Sequence, residues 1–395
     1  MENLHSDDIL ENILLQLPIE PALHAKRVCS TWRVILRCKT DKQGFLFKSC
    51  HADCGSRAKG KSNPVRTELF YADVYDQANI KYYYPRNIPT GLVGSCNGLV
   101  CSGTIPSLIC NPLTGESMVL PINYSEFPRD ISNTGRNYSG RLSSGFGYCP
   151  STNEYKVVTI YHNPSAEGHK AHVQGYTVGG EWRYIGFIDR YKRCRFVCFS
   201  GIYANGVLYW LYVSDPVLVR LQECEIVAFN LEGETFDYIP LPGLLNYKDF
   251  EIPTFICPLK LLGGNNHLYL VHTNCKVSGS TDICVYKKNN ISTGGPKLNN
   301  QSESSLDWIK ELSIQREEKS GIIRLGITTR NDILLWYKRY SPFGYRLCCY
   351  DPKTSTLNEL WDDDKAYSID AVPHRHSIAS LKDLGETNVT SLKDL

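Results

Sequence analysis

The first forty residues place apolar and polar positions at a helical period. Ile9, Leu10, Ile13, Leu14 and Leu17 recur at i, i+1, i+4, i+5 and i+8, with Glu11, Asn12 and Gln16 facing away, which predicts one amphipathic helix. Ser6 suits its N-cap, and Asp7 and Asp8 occupy the first turn, where carboxylates offset the positive helix end. Pro18 ends this helix. Pro21 favours a second, running through Leu23 toward Val28, and Ser30 caps a third that carries Trp32, Ile35 and Leu36. Three short helices in about 40 residues cannot bury a useful core, so the apolar stripe needs another surface.

Between Cys50 and Pro64 the chain is small, polar and basic, which reads as a linker; residues 46–65 are assigned to it. Beyond it the period changes from helical to strand-like. Asn97-Gly98, Asn153, Asn205-Gly206, Asn265-Asn266 and Asn331-Asp332 each precede an apolar run. The steps between these turns are about 50 to 66 residues, a period that signals propeller blades.

A second repeated signal supports the first. Asn111-Pro112-Leu113-Thr114-Gly115, Asn230-Leu231-Glu232-Gly233 and Asp351-Pro352-Lys353-Thr354 each close an apolar strand and lead into another. Blades therefore begin near Gly91, Ser144, Gly201, Leu261 and Leu325. Strand-like residues 68–74, 81–84 and 366–372 are left over, and one blade shared between the two chain ends would use them and remove exposed edges. The expected fold is a small all-α head of three helices followed by an all-β body, a β-propeller of about six blades. The alternative is a pair of β-sandwiches with irregular ends. Residues 376–395, in which Ser-Leu-Lys-Asp-Leu occurs twice, read as a frayed tail.

Composition narrows the partners. Lys plus Arg number 43 against 41 acidic residues, a net charge of +2, which argues against nucleic acid or an anionic membrane surface. No apolar run approaches a bilayer span, and the N-terminal segment has acids where a signal peptide would be basic, so an intracellular protein, in the cytoplasm and/or nucleus, is expected. The 16 cysteines then do not read as a disulfide framework. Cys101, Cys110, Cys198, Cys284, Cys348 and Cys349 lie inside apolar runs, where Cys acts as a small hydrophobe.

The head also carries a resemblance. Leu4, Asp7, Ile9, Leu10, Ile13, Leu14, Leu17-Pro18, Leu23, Val28-Cys29 and Trp32-Arg33 match, in type and spacing, the pattern of an F-box. His5, where plant members often carry Pro, and Glu20-Pro21, in place of a basic and polar pair, depart from it without removing an apolar anchor. In the body, Cys96-Asn97-Gly98-Leu99-Val100-Cys101 with Asn111 to Gly115, Gly145-Phe146-Gly147-Tyr148 leading to Tyr155-Lys156-Val157-Val158, and Asn205-Gly206-Val207-Leu208-Tyr209-Trp210 are similar to the F-box-associated, kelch-like repeat region of plant F-box proteins.

The resemblance implies an F-box at 1–45 and a β-propeller-like domain at 66–375, with the flexible tail read from polarity at 376–395 after them. It implies that Leu4, Ile9, Leu10, Ile13, Leu14, Leu17, Pro18, Leu23, Val28 and Trp32 dock on the Skp adaptor and, through it, on the cullin and RING subunits of an SCF ubiquitin ligase. The β domain would then hold an unknown target protein. A propeller scaffold whose head packs in cis and meets no adaptor remains the alternative.

Little in the chain's motifs sets chemistry against binding. No G-x-S-x-G elbow, Walker loop, dinucleotide fingerprint or H-E-x-x-H occurs, so no catalytic residue and no cofactor is assigned. Cys50-His51-x-x-Cys54 has no second pair at a finger-like spacing, and His162, His169 and His172 lack carboxylate or Cys company, so no metal is assigned either. A carbohydrate- or small-molecule-binding propeller enzyme is a third class without a marked site. Loops at blade ends are where such folds place recognition, and residues 124–141, 189–195 and 277–301 stand out. Phe127, Arg129, Tyr191 and Arg193 are the aromatic and Arg anchors singled out there for the target.

Overall fold

The computed structural model describes residues 6–40, 43–52, 65–72, 80–85, 91–103, 107–121, 141–162, 171–188, 195–196, 200–213, 218–220, 224–242, 251–253, 259–264, 267–273, 280–287, 308–315, 320–327, 333–340, 343–364 and 366–392. Three helices come first: α1 (Ser6–Gln16), α2 (Ile19–Ala25) and α3 (Ser30–Thr40). Pro18, extended at φ −55° and ψ 160°, separates α1 from α2, as its fixed ring geometry requires. Strands follow, and among the described residues they form six antiparallel sheets of four or five strands, the blades of a propeller, with one further two-stranded pair.

The chain divides into two compact units. The first joins residues 1–121 and 365–395 and contains the helices and two blades. In one blade Gln43–Ala52 pairs on one side with Val65–Ala72, which pairs with Ile80–Pro85, and on the other with Ala366–Arg375. The shared terminal blade expected from the leftover strands is therefore present.

Its central strand, Gln43–Ala52, occupies residues that the sequence reading gave to a linker starting at 46. That strand buries Lys48 and Ser49 along with Phe45, Leu46 and Phe47, so its polar residues disguise a core position that exists only because strands from both chain ends flank it. Phe47 stacks on Phe70 with ring centroids 5.1 Å apart.

The second blade of this unit runs Leu92–Cys96, Leu99–Ser102, Leu108–Cys110 and Glu116–Val119, with Thr390–Ser391 added at its edge. The two blades share a core of Leu46, Leu69, Tyr71, Leu92, Val100 and Val372 among others. Polar links cross the same seam: Leu92 N–H donates to Asp370 Oδ2 at 2.6 Å, and Ser95 Oγ lies 2.8 Å from His374 Nδ1.

The second unit, residues 122–364, holds the other four blades. Three are simple antiparallel meanders, as in Leu259–Gly264, His267–Thr273, Ser280–Tyr286 and Trp308–Gln315, and in the fourth Val207–Val213 pairs with both Arg195–Phe196 and Ile202–Ala204 as well as with Cys224–Asn230. Turn chemistry accounts for the register. Asn97, Asn153 and Asn205 have positive φ of 45°, 58° and 48°, and Gly98 and Gly206 follow in the same left-handed region, the backbone a tight right-twisted hairpin needs. The second repeated turn is an Asx turn in all three of its copies. Asn111 Oδ1 accepts from Leu113 and Thr114 N–H, Asn230 Oδ1 from Glu232 and Gly233, and Asp351 Oδ1 from Lys353 at 2.8 Å.

Close packing between successive blades of this unit falls on the Gly145-Phe146-Gly147 strand. A Cβ at Gly145 would stand 2.7 Å from the Trp210 ring, and one at Gly147 would stand 2.5 Å from Tyr203. Tyr203 OH donates to Tyr148 O at 2.8 Å across the same contact.

Candidate functional site

The helical head is the first candidate. Leu14, Ala22 and Leu36 form its small interior, with Leu10, Leu17, Ala25, Trp32 and Ile35 half-buried around them. Thr40 closes the last turn by donating to Leu36 O at 2.9 Å. The α1 stripe is thus split rather than uniformly presented. Leu14 faces inward, whereas Ile9 and Ile13, one turn apart on the same helix, are 47% and 56% exposed.

The split follows from helix geometry. Adjacent residues sit about 100° apart, so a stripe containing i and i+1 has two edges, and the head covers only one of them.

Of the other anchors, Pro18 and Val28 are exposed, Leu23 is buried, Trp32 is half-buried, and Leu4 lies outside the described residues. The structure adds Val34, 63% exposed on α3. Its position beside Trp32, Ile35 and Leu36 offered no periodic signal, because it falls off the face those residues share. The described part of the head thus exposes four β-branched side chains, Ile9, Ile13, Val28 and Val34.

A cavity of about 430 Å³ lies beside the head in the same unit, lined by Lys26 and Arg27 just after α2, Arg33 on α3, Asn97 and Arg375 from the blades, and Ser377 from the C-terminal segment. Four of its described lining residues are basic and none is acidic.

The second candidate is the chain's C-terminal segment. Residues 376–395 read as a frayed tail from their polarity, but the structure docks the described part, 376–392, on the second blade. Leu381 is fully buried and Leu392 joins the core of the first unit. Ser377 Oγ donates to Asn97 O at 2.7 Å, and Asn111 Nδ2 donates to Ser377 O at 3.0 Å and Ala379 O at 2.8 Å. Glu116 takes Ser380 Oγ at 3.0 Å on one carboxylate oxygen and Leu381 N–H at 2.6 Å on the other. Leu392 N–H donates to Gly115 O at 2.8 Å. None of these partners is near in sequence, so composition alone misled.

Phe127, Arg129, Tyr191 and Arg193, the anchors chosen for the target, lie outside the described residues. Of the three histidines, His172 Nδ1 lies 3.2 Å from Tyr184 OH, and His169 lies outside the described residues. Among the described residues no group of three or more His, Cys, Asp or Glu gathers at one point, and Cys54 falls outside them. Cys101, Cys110, Cys284 and Cys348 are buried among apolar side chains as expected, while Cys349 is half-buried and Cys198 is not described. Burial pushes the Cys110 thiol up to about 12 and the Cys284 thiol up to about 11, which keeps both protonated and unreactive. No helix among the described residues is long and apolar enough to cross a membrane.

With this geometry in view, the likeness to known proteins falls into place. Residues 33–255 match the family described as F-box associated beta propeller domain. The chain belongs to that family. Arabidopsis thaliana supplies its relatives: "F-box protein At3g07870" is 25% identical over 411 residues, spanning 90% of this chain and 86% of the relative. "F-box protein At2g16450" is 23% identical, spanning 89% and 87%, and "F-box protein At2g15640" is 31% identical over 192 residues, spanning 46% and 39%. Among solved structures, the six-bladed fungal lectin of Aleuria aurantia is 6% identical with a TM-score of 0.39, spanning 81% of this chain and 96% of the lectin. The head and body together are those of a plant F-box protein with an F-box associated β-propeller. The family match begins inside α3 and so includes the strand Gln43–Ala52 that the sequence reading had left in a linker.

Proposed function

We propose that this F-box associated propeller protein is the substrate-recognition subunit of an SCF-type ubiquitin ligase. The observation that carries the reading is the uncovered apolar surface of the head. Its own interior uses Leu14, Ala22 and Leu36, while Ile9 and Ile13 on α1, Val34 on α3 and Val28 in the turn between α2 and α3 stay exposed. Covering each such side chain with a partner is worth roughly 1.5 to 3 kcal/mol before ordering costs, enough in sum for a specific complex. The partner is the Skp adaptor, which links the chain to cullin and RING subunits.

In this role the chain makes and breaks no bond. It raises the effective concentration of a target lysine near a ubiquitin-conjugating enzyme held elsewhere in the ligase, which is catalysis by proximity. The β domain supplies the target contacts, and the setting is cytoplasm and/or nucleus. The competing reading is a propeller scaffold that assembles into no ligase.

A pull-down with purified Skp adaptor separates the two, provided that the substitutions respect the split stripe. Ile13→Asp and Ile9→Asp change exposed positions and leave the head folded, so the ligase reading expects at least tenfold weaker retention with an unchanged helical signal. Leu14→Asp is a poor probe, because it puts a carboxylate into the head's interior. Undiminished retention of both Ile variants, or no retention of the unmodified chain, returns the scaffold.

A further inference from the structure

We propose that the edge of the second blade is a peptide-binding groove, held shut by the chain's own C-terminal segment, and that its ligand in trans is a peptide carrying Ser-Leu. The groove is built to hold a main chain. Asn111 gives both its amide hydrogens to strap carbonyls, at Ser377 and Ala379, while its Oδ1 is engaged by the local Asx turn. Glu116 divides its carboxylate between a serine hydroxyl and the next residue's N–H, which reads Ser-Leu at Ser380-Leu381. The blade's outer strand then pairs antiparallel through Ser117 and Glu116 with Thr390 and Ser391. Backbone pairing for affinity and a side-chain pocket for specificity is how sheets take up peptides by adding a strand.

The sequence repeat supplies the second observation. Ser-Leu-Lys-Asp-Leu occurs at 380–384 and again at 391–395, and the Ser-Leu of each copy sits on this blade, the first in a turn closed by Leu384 N–H on Ser380 O and the second at the strand edge beside Ser117. The Leu directly after the Ser is buried in both, Leu381 completely and Leu392 at 5% exposure, while Lys382 and Asp383 are exposed. One blade thus has two places for the same dipeptide. Close approach is prepared on the groove side as well. Gly98 has φ 87°, and a Cβ there would stand 2.5 Å from Ser377 Oγ. Where the chain serves as a ligase receptor, the groove's ligand is a target segment and the strap competes with it; that last step rests on the receptor reading, but peptide binding does not.

The test is made on the isolated chain without adaptor, so failure of the groove leaves the receptor reading intact. The probe is a labelled peptide of residues 386–395. It is titrated into the full chain, into a chain ending at 386, and into a full-length Leu392→Asp variant; both changes open the strand edge at Ser117 and leave 377–381 on Asn111 and Glu116. A segment tethered at millimolar effective concentration excludes a free peptide, so affinity should rise at least tenfold in both opened proteins, and the peptide should raise their melting temperatures. A peptide carrying Leu392→Asp should not bind. The proposal is overturned if the opened proteins stay folded yet do not bind, if the substituted peptide binds equally well, or if both opened proteins unfold and the peptide does not restore them.

Discussion

Trp210 gives a sharp test of how the blades of the second unit are packed. Its ring is 1% exposed and lies between two glycines: a Cβ at Gly201 would stand 2.5 Å from Cε2, and one at Gly145 would stand 2.7 Å from Cζ2. Gly201 is not in the left-handed region, so Gly201→Ala meets no backbone obstacle, and by itself the loss of unfolded-state freedom would add about 0.4 to 1 kcal/mol of stability. Overpacking against a rigid ring that has no room to retreat toward Gly145 costs about 1 to 3 kcal/mol. The clash outweighs that gain over most of the two ranges, leaving a net loss centred on about 1.3 kcal/mol and reaching at most about 2.6 kcal/mol. At roughly 2 to 4 °C per kcal/mol for a unit of this size, the melting temperature should fall by roughly 3 to 5 °C. The deciding measurement is a double-mutant cycle in urea. Trp210→Phe opens a cavity and is destabilising alone, but it removes the ring atoms that the added methyl group would strike, so the two changes together should cost about 1 kcal/mol or more less than their sum. Additivity within about 0.5 kcal/mol would refute the account, as would a stabilised Gly201→Ala protein.

Other consequences follow from particular side chains. Buried Lys156 donates to Leu231 O at 2.9 Å and to Glu234 at 3.1 Å, so Lys156→Met should cost about 1 to 3 kcal/mol by urea unfolding, with Arg183, which also pairs with Glu234, limiting the loss. Asn111→Asp keeps the Asx turn, as Asp351 does at its own copy, but removes both donors to the strap. Hydrogen exchange should therefore quicken at 377–381 and stay slow at 113–114. Burial, with His376 alongside, holds His374 well below its ordinary value of 6.5 and therefore neutral. The unfolded chain protonates it near pH 6.5, so the stability it contributes is complete above that pH and is lost as the pH falls below it, at up to about 1.4 kcal/mol per pH unit. Burial shifts His272 in the same direction. Urea midpoints at pH 7.5 and 5.5 should differ less in His374→Gln than in the unaltered protein. Among the described cysteines, exposed Cys29 should alkylate in the native state while Cys101 and Cys110 resist, which mass spectrometry of iodoacetamide-treated protein would show.

Local pattern alone determined much of this molecule. The three helices, the Asn-Gly hairpins, the Asx turns at Asn111, Asn230 and Asp351, and the blade period could all be read, because each depends on the conformations that a few neighbouring residues permit. The blade shared by residues 65–85 and 366–375 was legible as an unmatched set of strands. Tertiary structure decided what depends on distant partners. Gln43–Ala52 became a central strand because both chain ends flank it, and the polar C-terminal segment became a strap because Asn111 and Glu116, more than 260 residues away, satisfy its backbone. Which edge of the α1 stripe is left for a partner was also undecided until Leu14 met Ala22 and Leu36. A period shows that a face is apolar; only packing shows which part of that face is already covered.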